Sequence, residues 1–135
     1  MIIGKEPITN ISFEGISFKH CRYNIPNKIY AGIQACHFDT QSGQNTWEVV
    51  PAAVQARWAH NIKFENCKFS SFGGSGIWLG TGSKNCTIKK CTLWDISGSG
   101  IMIGEGQDRL VSGVPWWKIA PEQAAKGNKV LYNDI

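Results

Sequence analysis

The chain reads as an all-β solenoid, a parallel β-helix of about four coils with two inserted loops, and three observations predict it. The phrase GGSGIWLGTGSKN at 73–85 returns as SGSGIMIGEGQ at 97–107, a shift of 24 residues. Around it, NIKFENCKFSSFGGSGIWLGTG aligns with NCTIKKCTLWDISGSGIMIGEG, setting Asn61 on Asn85, Cys67 on Cys91 and Gly76-Ile77 on Gly100-Ile101. Two partial copies, NISFEGISFKHC at a shift of 51 and NKVLYNDI at a shift of 42, bring the units to about four, and a period in the twenties marks a solenoid.

Within a unit the apolar residues come in short alternating bursts: Ile62 and Phe64, then Cys67 and Phe69, then Ile77 and Leu79. Each burst is a short strand showing one face to a core. Three strands and three corners close a triangular coil, and successive coils pair in parallel at about 4.8 Å. A helix is excluded, because the glycines at 73, 74, 76, 80 and 82 would each cost about 1 kcal/mol there. The predicted core columns are Ile11, Ile62, Cys86, Asn128; Phe13, Phe64, Ile88, Val130; Ile16, Cys67, Cys91, Asn133; and Phe18, Phe69, Leu93, Ile135. Cys67 and Cys91 then read as small apolar residues stacked indoors rather than as a disulfide or metal pair. The glycine phrase reads as a tight corner that each coil needs.

A chain of 135 residues supports one domain, 1–135, and a bare Met on a mid-domain pattern reads as a piece of a longer protein. No apolar run approaches the roughly 20 residues of a membrane span, so no membrane insertion is expected. MIIGKEPITN lacks the basic start and apolar stretch of a signal peptide. The net charge of +4 is carried by scattered residues, with Lys89-Lys90 the only adjacent pair, which argues against a nucleic-acid partner. The five cysteines, at 21, 36, 67, 86 and 91, show no zinc-ligand spacing, and no metal or cofactor is expected. GTGSK at 80–84 has neither P-loop nor Rossmann context.

Two segments, about 22–51 and 107–127, are not needed to complete a coil, and insertions on a solenoid sit on one face and carry function. The first contains YAGIQAC, which resembles the Gly-Ile strand and suggests an extra irregular coil. The second carries Trp116 and Trp117 after a proline, then a helical turn over 121–125. Trp116 and Trp117 are candidate substrate contacts, a stacking platform for sugar rings, unless one folds down to cap the adjoining coil. Trp78 and Trp94 are expected to point outward.

The repeat sets His20, Ser71 and Asp95 in one column, and its next member would be position 137, after Ile135. Groups one coil apart match the carboxylate spacing of retaining glycosidases, and groups two coils apart, about 9.6 Å, fall near the inverting range. Asp95 is therefore the first candidate catalytic residue, with His20 and Glu105 beside it in rank and Asp108 as a substrate-binding candidate. A corner Asx turn is the plain alternative for Asp95, and a solvated corner for Glu105 and Asp108. A Ser-His-Asp triad fails because Ser71, not the imidazole, stands in the middle. A calcium-dependent lyase lacks its Asp cluster.

The run PAAVQARWAHNIKFENCKFSSFGGSGIWLGTGSKNCTIKKCTLWDISGSGIMIGEG resembles the right-handed parallel β-helix repeat proteins of the pectate-lyase-like superfamily. It is most similar to large bacterial ones of Bacteroides type classed as glycoside hydrolases or, more broadly, as carbohydrate-active enzymes. The resemblance implies right-handed winding, a secreted, periplasmic or cell-surface location, and a poly- or oligosaccharide partner. It also implies paired acids on neighbouring coils, of which Asp95 is the one matched here. A non-catalytic glycan-binding or structural module shares the same pattern. Open coils also predict end-to-end self-association.

Overall fold

A strand that obeyed strict alternation could not turn a corner, and part of each coil in this chain breaks the alternation at five-residue intervals. The computed structural model describes residues 6–23, 38–41, 46–105 and 109–135. In it Asn61, Asn66 and Ser71 have left-handed φ of 55°, 52° and 60°. The same conformation recurs at Asn10, Gly15 and His20 in the coil above, at Asn85, Lys90 and Asp95 in the coil below, and at Gly127 and Tyr132 in the last. Each such residue adds one step to the zigzag, so that Phe64 and Cys67 flank a bend yet both point inward, as do Phe69 and Phe72. Glycine adopts this conformation freely, and Asn or Asp does so more readily than other side chains.

The first coil contains β1 (Ile8–Thr9), β2 (Ser12–Glu14) and β3 (Ser17–Lys19), and after an antiparallel hairpin of β4 (Phe38–Gln41) and β5 (Thr46–Val49) it is completed by β6 (Ala52–Ala56). The second coil is β7 (Ala59–His60), β8 (Lys63–Glu65), β9 (Lys68–Phe72) and β10 (Ser75–Leu79). The third contains β11 (Thr87–Lys89), β12 (Thr92–Ile96) and β13 (Ile101–Ile103). Then come a hairpin of β14 (Leu110–Val111) and β15 (Val114–Pro115), a helical turn α1 (Trp116–Ile119), a 3-10 turn (Pro121–Gln123) and β16 (Lys129–Leu131).

These strands stack into three parallel faces: β2, β8, β11 and β16 form the first; β3, β9 and β12 the second; β6, β10 and β13 the third. The all-β parallel β-helix is thus as expected, with a difference at the corners. A fourth short ladder, β1 on β7 continued by bridges from His60 to Lys84 to Lys126, bevels the triangle between the third and first faces.

The core columns form in the expected register. Phe13, Phe64, Ile88 and Val130 pair in sequence, and Phe18, Phe69 and Leu93 do the same. Ring centroids stack at 4.9 Å for Phe13 on Phe64 and 4.8 Å for Phe18 on Phe69, the spacing of the backbone ladder itself. Gly76 and Gly98 serve close approach rather than a positive φ: a Cβ on Gly76 would run into the Gly100 carbonyl, and one on Gly98 would meet the Ser75 hydroxyl at 2.6 Å.

Two of the columns hold donors. The Cys67, Cys86 and Cys91 thiols lie against the carbonyls of Phe13, Ala59 and Phe64 in the preceding coil, at 3.4, 3.3 and 3.6 Å. Burial pushes the Cys86 and Cys91 thiols above their ordinary pKa, keeping the donor proton in place. In the last coil asparagine takes over the position. Asn128 accepts from the Cys86 N–H at 2.9 Å and donates to the Ser83 carbonyl at 3.0 Å, while Asn133 accepts from the Cys91 N–H at 2.8 Å and donates to the Ile88 carbonyl at 3.0 Å.

The first insertion leaves after the second face and returns before the third, because β6 belongs to coil one and pairs with β10 at a shift of 23 rather than 24. Its YAGIQAC segment lies outside the described residues. In the second insertion Trp116 and Trp117 sit on α1 rather than on a bare loop, and the helical turn expected at 121–125 is the 3-10 turn Pro121–Gln123.

Replacing Asn133 by Ala removes both of its bonds and leaves buried backbone groups unpaired, so chemical denaturation should show a loss of about 1–3 kcal/mol. On the first face Glu65 is held by Lys63 and by Lys89 of the next coil at 3.1 Å, and these hydrogen bonds keep its carboxyl below the ordinary range. A depressed folded-state pKa gives stability that is present above the unfolded value and lost as pH falls through the folded one. The melting temperature should therefore drop with acidification below the usual carboxylate range, and drop less steeply in Glu65→Gln.

Candidate functional site

The outer surface of the second face is built from residues that alternate away from the core. One column there is Ser17, Lys68 and Thr92, and the next is Lys19, Ser70 and Trp94. Beyond them runs the bend column, His20, Ser71 and Asp95, in which all three residues share the left-handed conformation. The His20 N–H donates to the Ser70 carbonyl at 3.2 Å, fixing the first bend against the second coil.

Trp94 is 69% exposed. Its neighbour in the coil above is the small Ser70, which does not reach over the indole, and the adjacent Asp95 is also exposed. Trp78 also points away from the core, in register with Gln55 and Met102 on the third face, yet it is only 8% exposed. Its Nε1–H donates to the Gly104 carbonyl at 2.6 Å and the Arg57 guanidinium lies 5.2 Å from the ring centre. The two tryptophans thus have different work: Trp78 fastens the third face, while Trp94 is offered to solvent.

At the upper end of the bend column is a shallow groove of about 330 Å³ lined by His20, Cys21, Arg22, Tyr23, Ser71 and Gly73. The structure brings His20 and Ser71 together there. Asp95 stands one coil below Ser71 and two below His20, roughly 9.6 Å from the latter at the backbone.

Glu105 lies elsewhere, at the corner after the third face. One carboxylate oxygen accepts from the Thr81 hydroxyl at 2.6 Å and the other from Arg109, at 2.9 Å to Nε and 2.7 Å to Nη2. The Arg109 guanidinium also covers Trp116 at 5.4 Å, and the Gly82 N–H donates to the Gln123 carbonyl at 2.7 Å. Together these contacts fasten the second insertion to the coil. Trp117 is exposed on α1 with the Lys118 ammonium 5.1 Å from its ring centre, and α1 packs chiefly on β14, β15 and the 3-10 turn. Asp108 lies outside the described residues. Among the described residues no group of three or more His, Cys, Asp or Glu side chains is placed to hold a metal ion.

Fold and surface together define a β-helix module with an exposed tryptophan beside an exposed aspartate on one edge. The chain belongs to the family described as right handed beta helix region, whose model matches residues 2–113, and the winding is right-handed accordingly. Comparisons with curated proteins and with solved structures return no match.

Sequence reasoning placed Trp94 outward without making it part of the site. The available signal was its position: it immediately precedes Asp95 and shares an outward column with a serine.

The backbone at Asp95, with φ of 57°, separates its structural role from any chemical one. Asp95→Gly should unfold at the wild-type denaturant concentration or slightly higher, whereas Asp95→Val, β-branched in the left-handed region, should lose about 1–2 kcal/mol.

Proposed function

We propose that this chain is a carbohydrate-recognising stretch of β-helix that binds a poly- or oligosaccharide along the second face, with the Trp94 indole as the platform for one sugar ring. The observation that carries the reading is the exposed indole next to an exposed carboxylate. The apolar face of a pyranose packs on an aromatic plane, and the ring hydroxyls need acceptors and donors at its rim. Asp95 supplies the acceptor, and Ser70, Ser71 and Thr92 supply hydroxyls from positions fixed by the coil ladder. A saccharide polymer as ligand goes with a protein that is secreted, periplasmic or on the cell surface.

A second reading, glycoside hydrolysis, rests on Asp95 alone. Glycosidases of the usual kind set two carboxyl groups across the scissile bond, and neighbouring coils can provide such spacing. Glu105 already satisfies Arg109 and Thr81, which suits an anchor of the insertion better than a proton donor. Trp117 is kept as a second, separate stacking surface.

Calorimetric titration with a glycan selected on an array tests the binding. Trp94→Ala should weaken it about tenfold, a loss near 1.4 kcal/mol, and Trp117→Ala should weaken it less. Equal affinity of wild type and Trp94→Ala would remove the platform. Reducing-sugar release abolished in Asp95→Asn with binding retained would favour the hydrolase, and release unchanged in that variant would take Asp95 out of the chemistry.

A further inference from the structure

Away from the second face, we propose that Lys84, Lys126 and Lys129 form a site for a tetrahedral oxyanion, a sulfate or phosphate ester carried on a glycan. In the sequence Lys84 stands far from the other two, and the coil ladder gathers them. Lys84 bridges to His60 in the coil above and to Lys126 in the coil below, while Thr87 stands between Lys63 above and Lys129 below. On the outer surface the bend column of Asn61, Asn85 and Gly127 runs between these two columns.

The lysines point sideways from the coils, because their columns alternate with the buried Ala59 and Ser83 on one side and Phe64 and Ile88 on the other. Lys126 and Lys129 are exposed and Lys84 is half-buried. No side chain can rise between Lys126 and Lys129, since a Cβ on Gly127 would run into Asn85 Oδ1. Lys84 and Lys126 lie one coil apart, roughly 4.8 Å at the backbone, and Lys129 is three residues further on, within about 10 Å. Flexible four-carbon stems let the three ammoniums converge on one group.

Charge sets this corner apart from the rest of the first face. Lys63 and Lys89 are both engaged by Glu65, whereas among the described residues no carboxylate pairs with Lys84, Lys126 or Lys129. His60 is turned to the Gly82 carbonyl, at 3.1 Å. Like charges in register repel, and an oxyanion between them offsets that cost. A sulfate or phosphate monoester presents three terminal oxygens, one for each ammonium, where a carboxylate presents two. The carrier is a glycan rather than a nucleic acid: Asn61, Asn85 and Thr87 suit sugar hydroxyls, and these columns hold no Phe, Tyr or Trp to stack a base. The site is separate from Trp94, and only the choice of a glycan as carrier rests on the reading above.

Fluorescence anisotropy of labelled dextran sulfate titrated with the full chain should show saturable binding that an excess of plain dextran does not displace. Lys84→Gln, Lys126→Gln and Lys129→Gln together should weaken it about tenfold with an unchanged melting curve, and each alone should lower the salt slope of log K by about one. Lys19→Gln and Lys68→Gln, on the second face, should change neither readout. At constant ionic strength inorganic sulfate should displace the probe more strongly than chloride, a result independent of sugar recognition at Trp94. Phosphorylated dextran of equal charge density distinguishes the two esters, the tighter ligand naming the group. An equal loss from the second-face variants, displacement by plain dextran, or a single-stranded oligonucleotide bound as tightly as dextran sulfate would overturn the proposal.

Discussion

Everything in this fold depends on parallel coils lying in register, and register depends on the left-handed residue at each bend. A coil with one bend misplaced by a residue would turn its inward side chains out, and every hydrogen bond to the next coil would be offset. The bends at Asn10, Asn61, Asn85 and Gly127 form one vertical row, and those at Gly15, Asn66, Lys90 and Tyr132 another. That Lys90 and Tyr132 accept this conformation, with φ of 52° and 55°, shows that neighbouring coils impose it against local preference.

The core is held by two kinds of contact that divide the coil between them. Flat rings and aliphatic side chains fill the middle of each face, where Phe64 lies between Phe13 and Ile88. At the bends the backbone carbonyls turn inward and need donors, which the thiols of Cys67, Cys86 and Cys91 supply weakly and the amides of Asn128 and Asn133 supply in full. An asparagine in a predicted core column is therefore no packing defect: it does the cysteine's task and accepts a backbone N–H as well.

The columns were legible in the sequence because a 24-residue repeat with fixed spacing leaves few alternatives once strands are assigned. The five-residue period inside each coil is equally present, in NIKFE and NCKFS, but a search for strict alternation passes over it. Alternation correctly turned both Trp78 and Trp94 outward. It could not tell that Gly104 and Arg57 close over the first, while Ser70 leaves the upper side of the second open, because those neighbours come from 21 to 26 residues away in the chain. The same reasoning ranked Glu105 by its charge and could not see the Arg109 and Thr81 contacts that engage it.

The bend column of the second face shows His, Ser and Asp at successive levels, and the scaffold asks of each only that it tolerate one backbone conformation. Side-chain identity there is nearly uncoupled from folding. A row of reactive groups at regular vertical intervals can thus be rewritten one letter at a time while the framework beneath stays as it was. Such an edge gives one architecture many chemistries, and it makes the outline of a coil a poor guide to the molecule it acts upon.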